Sequence, residues 1–258
     1  MPGLDSLSTF ALLYVAFAIA CAGLVHGTLG LGFPLVATPL ISLVTGIKTA
    51  IVVVVPPTLA VVIAAILAGG SFLPTVRDWW RMPLWMFVGA LAGTQLFIVI
   101  DPAPLTLLLA AAILVWLGLD WLGRGQYALL REHPHKSGLV FGFLGGLFEG
   151  SVNIAAPPLL IYFLSVGLAP VALVKALNLC FLTGKTTQLT TLVLTTDISL
   201  GVWLSTLPLC ALGIGTSLMG ARIRSRVDAA TYRRWLKQAL LAMAALLVGQ
   251  FVLLMRTA

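Results

Sequence analysis

The sequence predicts an all-α polytopic membrane protein, an inverted repeat of two halves with broken or re-entrant helices. Three observations carry that expectation. Of 258 residues, 60% are hydrophobic and 9% charged, with a mean hydropathy of +1.09, whereas a soluble domain carries about a quarter charged residues. The apolar residues form long runs with short polar gaps, which leaves no room for a separate soluble domain and makes residues 1–258 a single transmembrane domain. Finally, 25 Gly and 14 Pro are spread through those runs. Proline removes a backbone donor and glycine weakens a helix interior, so broken helices are expected.

Bounding the apolar runs by Gly, Pro and charge gives ten segments: 9–26, 31–45, 47–69, 82–100, 103–122, 137–151, 154–168, 170–195, 200–220 and 235–255. A full crossing needs about 20 apolar residues, which the third, fourth, fifth, eighth, ninth and tenth segments supply. The first two, and the sixth with the seventh, are shorter and meet at Gly-rich junctions. Each such pair is either a re-entrant hairpin or two tilted crossings, and both alternatives give each half an odd number of crossings.

The halves, 9–122 and 137–255, resemble one another. At an offset of 123 positions Gly23 aligns with Gly146, Gly27 with Gly150, Thr28 with Ser151, Pro34 with Pro157 and Ser42 with Ser165. Charge is an independent check. Eleven of the fifteen Lys and Arg lie in three gaps: Arg77 and Arg81; Arg124, Arg131 and Lys136; Arg222, Arg224, Arg226, Arg233, Arg234 and Lys237. The basic gap 70–81 corresponds to Thr195-Thr196-Asp197, and Ile100-Asp101-Pro102 to the basic stretch 221–237, so equivalent loops carry opposite character. An odd number of crossings per half produces this pattern, with the basic gaps in the cytoplasm and both termini outside a multi-pass cell inner-membrane protein. The same distribution explains the net charge of +7 with no nucleic acid as partner; the partners expected are the lipid bilayer and a small anion, and the oligomeric state is not legible. Met-Pro-Gly-Leu-Asp-Ser lacks a basic n-region, so no removable signal peptide is expected. Cys21, Cys180 and Cys210 stand singly in apolar runs with no CxxC spacing, as lipid-buried or core thiols do.

Ionisable groups inside apolar segments are costly unless they have a partner or line an aqueous path. The candidates are His26, Glu149, Lys175 and Lys185. His26 and Glu149 are equivalent at the 123-residue offset, which makes them candidates for proton coupling, set against a lumen-facing His and a Glu that caps the next helix. The junctions that follow them read Gly27-Thr28-Leu29-Gly30-Leu31-Gly32-Phe33-Pro34 and Gly150-Ser151-Val152-Asn153-Ile154-Ala155-Ala156-Pro157-Pro158. A break followed by Pro in the first turn of a new helix leaves N–H groups without intrahelical partners at the positive end of the helix dipole, an anion cradle. Gly27, Thr28, Gly30, Gly150, Ser151 and Asn153 would form it; the bland alternative is close helix packing.

The eighth segment adds Lys175, Asn178 and Lys185 within about 80° on a helical wheel. They would be the cradle's positive wall. Against this, Lys175 lies only about 7 Å past Pro170 and can snorkel, and Lys185 has Glu149 as a possible ion-pair partner. Pro56-Pro57 is expected to break the corresponding third segment. Gly184-Lys185-Thr186 resembles the end of a P-loop, but Leu179 stands where its first Gly belongs. His133-Pro134-His135 reads as a solvated loop with no further ligand nearby, so neither a metal nor another cofactor is expected. Trp79, Trp80, Trp116, Trp121, Trp203 and Trp235 fall near segment ends, as interfacial anchors do.

At its junctions the chain resembles the sulfite exporter TauE/SafE family, also described as the 4-toluene sulfonate uptake permease family. Gly30-Leu31-Gly32-Phe33-Pro34-Leu35-Val36-Ala37-Thr38-Pro39 is similar to the family's first glycine-rich motif. The stretch Gly142 to Ser151, Pro157-Pro158 and Lys175-Ala176-Leu177-Asn178 is similar to its second, with Ala155-Ala156 a departure from paired glycines. The resemblance implies an inner-membrane transporter for sulfite, sulfonates or related anions. The functional expectation is a secondary transporter of a small sulfur-containing anion, coupled to protons; the alternatives are a passive anion channel and a membrane-embedded enzyme. No catalytic constellation supports an enzyme.

Cysteines introduced in the 124–136 and 222–234 loops are expected to react with an impermeant maleimide only from the cytoplasm, and cysteines beside Met1 and Ala258 only from outside. Labelling of both termini from the cytoplasm would rule out the inverted arrangement.

Overall fold

The computed structural model describes residues 8–121 and 132–223, together with positions 234, 238, 241, 244, 245, 248, 249 and 252. Among them the regular elements are all helices: α1 (Thr9–Leu29), α2 (Phe33–Thr45), α3 (Ile47–Ala68), α4 (Leu73–Trp79), α5 (Arg81–Val99), α6 (Pro102–Trp121), α7 (Pro134–Val152), α8 (Ala156–Ser165), α9 (Pro170–Thr195), α10 (Leu200–Ser205) and α11 (Leu207–Ile223). Most of the tenth expected segment, with Trp235, and the basic residues Arg124, Arg131, Arg224, Arg226, Arg233 and Lys237 lie outside the described residues.

Among the described residues four stretches are long and apolar enough to cross a membrane: Thr9–Leu29, Ile47–Ala68, Arg81–Val99 and Leu200–Ile223. Large apolar side chains such as Phe17, Phe87, Leu194 and Leu207 are exposed, while Glu149, Asn153, Lys185 and Gln188 are fully buried. Apolar outside and polar inside is the arrangement a multi-pass protein takes in lipid.

The first helix is longer than its apolar run. Gly27 and Thr28 stay helical, and the break falls at Gly30, a left-handed cap (φ 76°) whose N–H donates to the His26 carbonyl at 2.6 Å. At the equivalent position Asn153 closes α7 with φ 64°, its N–H on the Glu149 carbonyl at 3.1 Å. Glycine takes this conformation freely, and Asn is among the few side chains that tolerate it. In both halves the next helix starts with Pro in its first turn.

Three local expectations are corrected. Pro56-Pro57 do not break α3, which runs unbroken from Ile47 to Ala68. Val52, Val53, Val54, Val55, Val61 and Val62 are all buried, and tertiary packing of this kind sustains a helix that its own hydrogen bonds would not. The ninth segment keeps its length from Leu200 to Ile223 with one turn residue at Thr206, but the gap 70–81, read as a polar connection, contains the short helix α4, whose Trp79 ring packs edge-on against Phe163 at 5.2 Å and so does more than anchor an interface. His135 lies in the first turn of α7 and meets Arg81 at 3.3 Å, so His133-Pro134-His135 opens a helix and is not a free loop.

The two most extensive helix pairings are α5 with α7 and α1 with α11, each joining one half to the other. Glycines set both. A Cβ on Gly27 would overlap the Ser217 carbonyl oxygen, one on Gly220 the Leu24 oxygen, one on Gly146 the Met86 oxygen and one on Gly150 the Ala90 oxygen. Small residues of this kind bring helix backbones into contact inside membranes, where no hydrophobic force pulls helices together. Between these crossings α3 and α9 meet each other, α9 also touching α5 and α3 touching α11.

Gly146→Val is expected to cost more than the roughly 1–3 kcal/mol of ordinary overpacking, because the obstructing atoms are backbone. Gly215→Ala, where a Cβ meets nothing within 4 Å, should leave the melting temperature in detergent unchanged or slightly raised. Equal melting temperatures for the two variants would contradict the crossing.

Candidate functional site

The second junction ends in a buried polar network. Lys185 reaches it from α9 with no solvent exposure, its Nζ 2.7 Å from Glu149 Oε1 and donating to Asn153 Oδ1 at 2.7 Å and Gln188 Oε1 at 2.8 Å. The contact with Glu149 is at ion-pair distance but off the angle of a hydrogen bond; the two amide oxygens take the aligned bonds. Three oxygens thus surround an ammonium with three protons. Glu149 Oε2 accepts the Ala155 N–H at 3.1 Å, at the positive end of α8. The anticipated capping role and the Lys185–Glu149 pairing therefore coexist in one side chain.

The amides extend the network. Asn153 Nδ2 donates to the Ile51 carbonyl at 3.1 Å and to Thr38 Oγ1 at 3.3 Å, while Gln188 Nε2 donates to the Gly150 carbonyl at 3.0 Å. Elements of the second half, α7, α8 and α9, are thereby tied to α2 and α3 of the first. Gly184 makes this possible: a Cβ there would lie 2.9 Å from Glu149 Cγ and 2.7 Å from Met86 Cε.

The first junction is built differently. His26, in the position of Glu149, is 2% exposed, and neither ring nitrogen has a hydrogen-bond partner. Asn178 Nδ2 donates to the carbonyls of Gly30 at 3.2 Å and Val174 at 2.8 Å, and its Oδ1 is buried without a partner. The structure therefore gathers Glu149, Gly150, Asn153 and Lys185 at one junction, and His26, Gly30 and Asn178 at the other.

The remaining candidates are placed as follows. Gly27 and Gly150 stand at helix crossings, Gly150 also offering its carbonyl to Gln188. The Thr28 hydroxyl donates to the Leu24 and Val25 carbonyls and the Ser151 hydroxyl to Leu147 at 2.7 Å, so both hydrogens are committed within their own helices. Lys175 turns away to the Ser71 carbonyl at 2.9 Å, as its distance from Pro170 allows. Sequence reading missed Gln188 and Thr38. Gln188 had a signal, since it follows Lys185 by three residues on the same face. Thr38 had none, because its role depends on contact between the halves. Among the described residues no group of three His, Cys, Asp or Glu is arranged to hold a metal ion.

A family model described as sulfite exporter TauE/SafE matches residues 15–247. The chain belongs to the TauE/SafE family. The family consists of membrane transporters of sulfite and sulfonates, so the chain is a multi-pass membrane transport protein, and a transporter family accords with the expectation of no enzymatic reaction. Neither the curated proteins nor the solved structures give a match. Within this TauE/SafE chain the junction motifs that carried the resemblance coincide with the two left-handed caps at Gly30 and Asn153.

Lys185→Met leaves the Glu149 carboxylate buried with no cation and is expected to lower stability by about 3–5 kcal/mol. The double change Lys185→Met with Glu149→Gln should recover a large part of that loss in a double-mutant cycle of detergent unfolding. Strictly additive losses would show that the pair is not coupled.

Proposed function

We propose that the protein is a secondary transporter of the cell inner membrane that moves a small sulfur-containing anion, sulfite or an organosulfonate, together with protons, between two inverted halves spanning 9–122 and 137–255. The observation that carries this reading is the Lys185 network: a buried cation at the break between α7 and α8, backed by a helix N-terminus and bonded to both halves. A structural ion pair alone has no need of a broken helix beside it, whereas an anion site uses the freed amides.

Several features support the inverted arrangement. Equivalent helices end in equivalent left-handed caps, and the pairing of α1 with α11 mirrors that of α7 with α5. Alternating access is then a rocking of the α1–α11 pair against the α5–α7 pair about the axis where α3 meets α9. The cradle of this reading lies at the two breaks, at Gly30 and Asn153 with Asn178 and Lys185 beside them; Gly27, Thr28, Gly150 and Ser151 support it from within their own helices, and Lys175 lies apart from it. His26 and Glu149 are the coupling groups.

Purified protein in proteoliposomes should accumulate at least one of sulfite, sulfate, taurine, sulfoacetate and methanesulfonate when an inward proton gradient is imposed, and should lose that accumulation when the gradient is collapsed. Equilibration without accumulation would identify a passive anion channel, and no flux of any of the five would overturn the transporter reading.

A further inference from the structure

Resting on that reading, the geometry also identifies what competes with the transported anion. Glu149 is itself an anion in the place where an anion would sit. One carboxylate oxygen is on the Lys185 ammonium at 2.7 Å, and the other takes the Ala155 N–H at 3.1 Å, where α8 begins. A cation and a helix-terminal amide serving two oxygens of one group is the donor set that a sulfonate or sulfite would draw on. The carboxylate reaches those donors through the gap left by Gly184, where a Cβ would meet its Cγ at 2.9 Å. The first junction offers the contrast: its equivalent residue, His26, makes no hydrogen bond and brings no anion.

We propose that Glu149 is a tethered resident anion, and that one proton delivered to it frees Lys185 and the α8 N-terminus for one negative charge of the substrate. Charge balance sets the stoichiometry. The pair of carboxylate and ammonium is neutral. An anion added alone leaves the buried site net negative, and a proton added alone leaves an unpaired ammonium. Both together restore neutrality, with the proton on the Glu149 carboxyl and the substrate oxygens on Lys185 and the Ala155 amide. Buried net charge is strongly disfavoured, so proton and monoanion enter and leave together.

Among the described residues the titratable groups facing Glu149 are Lys185 and the Cys180 thiol, both on α9. The neighbouring elements supply uncharged groups: Met86 from α5 beside the Gly184 gap and the Ala155 amide from α8, with Thr38 of α2 and Ile51 of α3 reaching only Asn153.

The test uses the full chain and methanesulfonate, a monoanion whose charge does not change between about pH 5 and 8. Binding to the wild type should weaken as pH rises, by up to about tenfold per unit, the limit for one linked proton. Glu149→Gln should bind with an affinity independent of pH. In proteoliposomes, each transported anion should enter with one proton, the number the single Glu149 carboxylate can take. A wild-type affinity flat across pH, an unchanged pH slope in Glu149→Gln, or anion entry without proton movement would each make Glu149 a structural partner of Lys185 only, while leaving the transporter reading intact. Folded wild-type protein that neither binds nor moves any of the anions would overturn the transporter reading itself. Where Glu149→Gln does not fold, the wild-type pH dependence and proton count decide.

Discussion

An ammonium group with no exposure, set among apolar helices, has to be neutralised where it stands, and much of the described structure follows from how Lys185 is satisfied. Desolvating one such ion costs several kcal/mol, and only close opposite charge with well-placed acceptors offsets it. Glu149 supplies the charge, and Asn153 and Gln188 supply the acceptors. Each demand fixes something further. Glu149 needs the opening at Gly184, and Asn153 reaches its place from a left-handed cap. Gln188 needs a free carbonyl, which the end of α7 provides at Gly150. A single buried cation therefore specifies where α7 ends, how α8 starts and how closely α9 lies against both.

The glycines divide their work differently from what their clustering suggests. Those within helices, Gly27, Gly89, Gly146, Gly150 and Gly220, allow backbone to meet backbone at the two crossings between halves. Those at breaks, Gly30 and Gly32, supply the backbone conformations that end α1 and turn the chain into α2. The same residue type serves packing inside a helix and chain reversal beyond it. Close packing at the crossings and a polar junction beside them are complementary, because the crossings hold the broken ends in register across the two halves.

The junctions share a backbone plan and differ in chemistry. Both end a long helix on a left-handed residue and restart with proline, yet one carries a carboxylate with an amide on one oxygen and an ammonium at ion-pair distance from the second, and the other an imidazole with no hydrogen-bond partner. A buried ion pair at one junction and an unpaired imidazole at the other make the two halves of this TauE/SafE chain chemically unequal where their backbones match.

The sequence by itself determined the membrane class, most helix boundaries among the described residues, the breaks at the two junctions and the family, because these depend on local quantities: apolar run length, the backbone freedom of Gly and Pro, and short motifs. It also singled out His26, Glu149 and Lys185, since an ionisable residue in an apolar run is conspicuous whatever it touches. Tertiary structure alone decided which of those residues meet. It joined Lys185 to Glu149 across 36 positions of sequence and Asn153 to Thr38 across 115, turned Lys175 away to Ser71, assigned Gly27 and Gly150 to crossings, and kept α3 helical through two prolines. The physical reason is that a buried charge, a backbone crossing and a proline in mid-helix are each stabilised or penalised by groups from other helices, and no local pattern records which helix arrives beside which.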